Sequence, residues 1–182
     1  IEPSIFETNQ FLINRVPTLI EYSAFYGSVK IINYLMEKGI QLIPSLWIYA
    51  IHGENMEVIK LLEEKNLKPQ DQTYRACFIE GVKCHHIQIA DYLKKKYLGD
   101  KIDDRLVVSY IIKSHNFIYF PEDLNDYNKF YDLCEFNYVN LVNLLLNNVA
   151  DINLNARVIS SCVFVFVKFA FVLFNHVFML IF

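Results

Sequence analysis

The chain has 182 residues, 54% hydrophobic and 20% charged, with a formal net charge of −3 and a mean hydropathy of +0.22. This excludes a disordered chain, which would be poor in apolar residues, and a general nucleic-acid binder, which needs a basic face. Five Gly and five Pro are too few for the many tight turns of an all-β sandwich.

Residues 1–17 read as a lead-in. The chain opens on Ile1 rather than Met, so the expectation is a fragment or a processed product, with the repeats part of a longer array. Glu2, Glu7, Asn9, Gln10, Asn14 and Arg15 break up any apolar run, so this stretch is not a signal peptide. Without such a signal, the four cysteines are expected as reduced thiols in the cytoplasm.

From Thr18 the sequence repeats itself. The stretch TLIEYSAFYGSVKIINYLMEKG carries two short helical patterns divided at Gly27. SLWIYAIHGENMEVIKLLEEKN repeats it, with Ala50 aligned on Ala24 and Gly53 on Gly27. TYRACFIEGVKCHHIQIADYLKKKY repeats it again around Gly81. A fourth unit begins near Asp103 and is interrupted by Pro121, and a last one runs from Asn128 to Asn153. The predicted units are 18–40, 45–67, 73–97, 103–120 and 127–155, within a repeat region 18–157. Each helix pair has one apolar face and must bury it on its neighbours, so the predicted fold is an all-α solenoid of stacked antiparallel helix pairs.

These units resemble ankyrin repeats. Thr18, Ile20, Ser23, Ala24, Gly27, Val29, Ile31, Ile32, Leu35 and Gly39 follow the ankyrin frame, and Leu144, Leu145, Leu146, Ala150, Asp151, Ile152 and Asn153 resemble its close. The whole is similar to degenerate ankyrin proteins of the kind abundant in trichomonad-type protists. The resemblance implies a non-catalytic scaffold that binds a protein partner on a curved surface. It departs from the family in its short period, its short linkers, its lack of a T-P-L-H motif and Asp132 at an apolar position.

In the ankyrin frame Phe25, Tyr26 and Trp47 fall on first helices at positions lining the concave face, with Ile51 and His52 as second-unit equivalents of Phe25 and Tyr26. Aromatics there are hot-spot material for a partner. The competing expectation is that short linkers tighten the stack and bury them.

Cys77, Cys84, His85 and His86 are the metal-ligand candidates by residue type. Their spacing fits poorly, because the histidines are adjacent and point about 100° apart on a helix. The expectation is therefore no metal and no cofactor. His52 and His115 are expected as helix C-terminal caps. Glu80 and Asp91 show no catalytic partner, and no P-loop, G-x-S-x-G or G-x-G-x-x-G motif occurs, so no enzyme is expected. Lys94, Lys95 and Lys96, with acidic residues on both sides, read as a solvated helix end.

Residues 158–182, VISSCVFVFVKFAFVLFNHVFMLIF, differ from everything before them. Twenty are hydrophobic and only Lys168 is charged. A helix of this length spans the roughly 30 Å hydrocarbon core, so a C-terminal membrane anchor is one reading. The abrupt break after Arg157 favours a frameshift or read-through product ahead of the anchor. Packing as a terminal cap ranks third, since a soluble cap needs a polar face.

Overall fold

The computed structural model describes residues 6–99, 105–120 and 132–142. The described residues are all helical apart from their connections, and no strand occurs among them. The chain divides into two compact units, Ile1–Ile102 and Asp103–Phe182. The tail 158–182 lies outside the described residues, as do the A-D-I-N close of the last unit and Cys162. Among the described residues no helix is long and apolar enough to cross a membrane.

In the first unit the helices are α1 (Gln10–Arg15), α2 (Leu19–Phe25), α3 (Val29–Glu37), α4 (Leu46–His52), α5 (Met56–Glu64), α6 (Arg75–Lys83) and α7 (Ile87–Leu93), and a π-helical turn follows at Lys94–Leu98. They pack as successive pairs, α2 on α3, α4 on α5 and α6 on α7. First helices also pack on first helices, α2 on α4 and α4 on α6, and α3 lies against α5. One apolar core runs through these layers, from Leu12 through Ile32, Trp47 and Ile59 to Leu93. Helices this short are marginal alone, and their stability comes from that shared core.

Local chemistry starts the first pair. Thr18 and Glu21 form a reciprocal capping box at the N-terminus of α2. Glu21 also accepts a 2.6 Å hydrogen bond from Ser45 Oγ, which ties the start of α2 to the residue preceding α4.

The turn between the two helices of a pair recurs almost unchanged. The N–H of Ser28 donates to the Ser23 carbonyl, Asn55 to Ala50, and His86 to Gly81, at 2.8–3.0 Å. The residue before each donor is left-handed: Gly27 at φ 67°, Glu54 at 57° and His85 at 60°. Each of these left-handed residues donates in turn to Ala24, Ile51 or Val82. This pair of bonds is the Schellman motif, which closes the orphan carbonyls at a helix end.

The second unit holds α8 (Arg105–Lys113), a 3-10 turn at Phe117–Tyr119 and short helical segments at 132–135 and 139–142. Val108, Ile112, Leu133, Cys134 and Val142 form its core. The same turn occurs here twice. Asn116 donates to Ile111 and Tyr138 to Leu133, with His115 at φ 59° and Asn137 at 60° in the left-handed position.

This corrects the register read from glycines. The residues equivalent to Gly27 are Glu54 and His85, not Gly53 and Gly81. Gly53 corresponds to Tyr26, and Gly81 to Ser23. Gly53 is needed for a different reason: a Cβ there would stand 1.8 Å from the Phe25 carbonyl oxygen. Gly81 lies inside α6, where a Cβ would approach Ala90 Cβ at 3.3 Å, so it marks close packing of α6 on α7.

Candidate functional site

The five residues chosen for a partner surface separate sharply. Trp47 and Ile51 are fully buried and Phe25 is 9% exposed, so these three belong to the core. The Trp47 indole donates to the Leu67 carbonyl at 3.0 Å and meets Tyr74 edge-on. In the corrected register Ile51 occupies the position of Ala24, and not that of Phe25; both of those positions are buried. Tyr26 is 53% exposed. Its ring lies 4.9 Å from that of half-buried Tyr22, and both hydroxyls donate to the Glu7 carboxylate.

His52 is half-buried at the end of α4, inside a polar cluster. Its Nε2 makes a close contact with Glu80 Oε1, and Cys84 Sγ lies 3.5 Å from its Nδ1 and 3.7 Å from its Nε2. Glu80 and Cys84 are one helical turn apart, on α6 and its C-terminal cap, so they share a face. Phe11 of α1 stacks on the His52 ring, centroid to centroid 3.6 Å. Lys83 Nζ donates to the other Glu80 oxygen at 2.9 Å.

Burial alone would raise the Glu80 pKa. Hydrogen bonds from His52 and Lys83 outweigh it and hold the carboxyl at about 2. Burial, reinforced by the Glu80 charge, pushes the Cys84 thiol up to about 11. The cluster is a carboxylate, an imidazole and a thiol converging from two helices.

Of the four ligand candidates by residue type, only Cys84 belongs to this cluster. Cys77 is fully buried in the core, and burial pushes its thiol pKa up. His85 is an exposed turn residue. His86 uses Nδ1 on the Ile51 carbonyl at 2.7 Å. Sequence spacing missed His52 and Glu80, because one lies a whole repeat away from Cys84 and the other had no visible partner. The four-residue step from Glu80 to Cys84 was the available signal.

A second polar cluster joins the second helices of neighbouring pairs. Glu63 of α5 accepts from Tyr92 (2.6 Å), Tyr97 (2.6 Å) and Lys96 (2.8 Å). The wide π turn at 94–98 brings residues five apart onto one face, so both tyrosines reach the same carboxylate. The lysine run read as a solvated helix end thus includes one lysine bound to a half-buried carboxylate.

His86 also belongs to a series. In the same place of the preceding turn, Asn55 Nδ2 donates to the Ala24 carbonyl at 3.3 Å and more closely to that of Phe25. In the second unit Tyr138 Oη donates to the Ile112 carbonyl at 3.2 Å. Ala24, Ile51 and Ile112 are equivalent positions at the ends of first helices. The residues after the left-handed Glu54, His85 and Asn137 therefore reach back to the helix end of the pair before.

Comparison with known proteins adds no relative: no protein family, no curated protein and no solved structure matches this chain.

Proposed function

We propose that the chain is a non-catalytic protein-interaction scaffold built from ankyrin-like helical repeats. The observation that carries this reading is the repeated turn with its reach-back hydrogen bond. Within the first unit one contact used again sets the first helices α2, α4 and α6 side by side, and on this reading they present one surface to a partner. Tyr26, backed by Tyr22, is the exposed aromatic on the first of these helices, and aromatics of this kind anchor interfaces. Phe25, edge-on to the Tyr26 ring, supports it from the core.

The test is affinity capture with the full chain, identification of the partner, and titration of the purified pair. Tyr26→Ala is expected to weaken binding about tenfold, equivalent to about 1.4 kcal/mol, with the melting temperature unchanged. Equal affinity of Tyr26→Ala and wild type removes Tyr26 from the interface. A chain with no saturable protein partner removes the scaffold reading.

A second reading rests on the composition of residues 158–182, which favours a membrane anchor. Flotation of the full chain with lipid vesicles, lost on deletion of 158–182, supports it. A full chain that stays monodisperse in buffer and does not float rules it out.

A further inference from the structure

We propose that His52, Glu80 and Cys84 form a metal site for zinc or a zinc-like divalent ion, with the fourth coordination position left to water or an exogenous ligand. The site does not depend on the scaffold reading.

Geometry argues for it first. One ligand atom from each residue lies within 4.8 Å of the others. Tetrahedral zinc with Zn–S near 2.3 Å and Zn–N near 2.0 Å places sulfur and nitrogen about 3.5 Å apart. Cys84 Sγ stands 3.5 and 3.7 Å from the two His52 nitrogens. His52 Nε2 and Glu80 Oε1 touch directly, so an ion bound by both replaces their hydrogen bond, and the imidazole proton moves to Nδ1, the other ring nitrogen. Glu80 and Cys84 supply two ligands from one helical turn, an economical way to hold two corners of a tetrahedron.

Donor chemistry selects the ion. A thiolate and an imidazole favour zinc over calcium or magnesium, which prefer all-oxygen cages. Binding releases the Cys84 thiol proton to solvent, and the charges of thiolate and carboxylate balance the dication. The surroundings fix the ligands. Phe11 stacks on the imidazole and sets its plane, and Lys83 holds the Glu80 oxygen that the ion does not need. A bound ion would fasten α4 to α6.

Two measurements on the reduced full chain test the site. Cobalt(II) is titrated as a spectroscopic stand-in for zinc. One equivalent is expected to give the visible bands of a tetrahedral ion and a near-ultraviolet thiolate-to-cobalt band. That thiolate band is expected to vanish in Cys84→Ser and to survive in Cys77→Ser. Absence of the bands in wild type overturns the proposal, and so does their survival in folded Cys84→Ser.

The second measurement needs no variant. Alkylation of Cys84 is followed by mass spectrometry with and without one equivalent of zinc. Zinc is expected to slow it about tenfold, since a coordinated thiolate is withheld from the reagent. Equal rates overturn the site even if Cys84→Ser fails to fold.

Discussion

His86 Nδ1 sits 2.7 Å from the carbonyl oxygen of Ile51, across the boundary between two helix pairs. Carbonyls are acceptors only, so Nδ1 carries the proton. The bond gives that helix-end carbonyl a donor from the next pair beside the Glu54 N–H of its own. Asn55 does the same for Ala24 and Phe25.

Removing His86 takes from the Ile51 carbonyl its donor in the next pair while the Glu54 N–H still serves it, and removing Asn55 does so for Ala24, which keeps the Gly27 N–H, and for Phe25. His86→Ala and Asn55→Ala are each expected to lower stability by about 0.5–1.5 kcal/mol, the net worth of one hydrogen bond. Urea denaturation followed by circular dichroism reads this as a lower midpoint. An unchanged midpoint in both variants shows that water serves those carbonyls equally well.

Gly53 and Glu54 are neighbours with opposite expectations. A Cβ at Gly53 meets the backbone oxygen of Phe25, so α2 and α4 must separate. Gly53→Ala is expected to cost about 1–3 kcal/mol. Glu54 carries a side chain at φ 57°, so Glu54→Gly relieves strain and is expected to gain roughly 0.5–1 kcal/mol after the entropy cost of glycine. Paired thermal melts check both signs.

Trp47→Ala is expected to cost about 3–5 kcal/mol by leaving a cavity where a fully buried indole stood. The readout is a large fall in melting temperature. A melting temperature close to that of wild type contradicts the core placement.

Glu63 sets an acid limit. Burial raises its pKa, but the hydrogen bonds from Lys96, Tyr92 and Tyr97 outweigh it and leave the carboxyl below its ordinary value. A carboxyl with a lower pKa folded than unfolded adds stability above its unfolded pKa. That contribution disappears as pH falls through the folded value. Stability is therefore expected to drop below about pH 4.3, the unperturbed glutamate pKa. Glu63→Gln is expected to flatten that limb and to lower stability at neutral pH. A wild-type acid limb as steep in the variant removes Glu63 as its source.

Helical character was legible in the sequence because apolar residues recur at helical spacing in SVKIINYLMEKG and NMEVIKLLEEKN. The register was not. Glycine marks the left-handed turn at Gly27, but at Gly53 and Gly81 it answers to close approach of a neighbouring backbone or helix. Glu54 and His85 take the left-handed conformation without being glycine, so no residue type announced it. The partner surface failed for another reason: Phe25, the position onto which the glycine spacing maps Ile51, is itself buried where α2 packs on α4. The His52–Glu80–Cys84 cluster was hidden by distance along the chain, since helix stacking, not local spacing, brings His52 to Cys84.

The reach-back bonds also give the stack a direction in time. The carbonyls of Ala24 and Phe25 accept from Asn55, and that of Ile51 from His86, in each case a donor from the pair that leaves the ribosome later. A nascent chain thus holds the α2–α3 pair without Asn55 until α5 follows, and the α4–α5 pair without His86 until α7 follows. Truncation between pairs therefore damages the N-terminal fragment at its freshly exposed edge, while the C-terminal fragment keeps its own donors and loses only their targets.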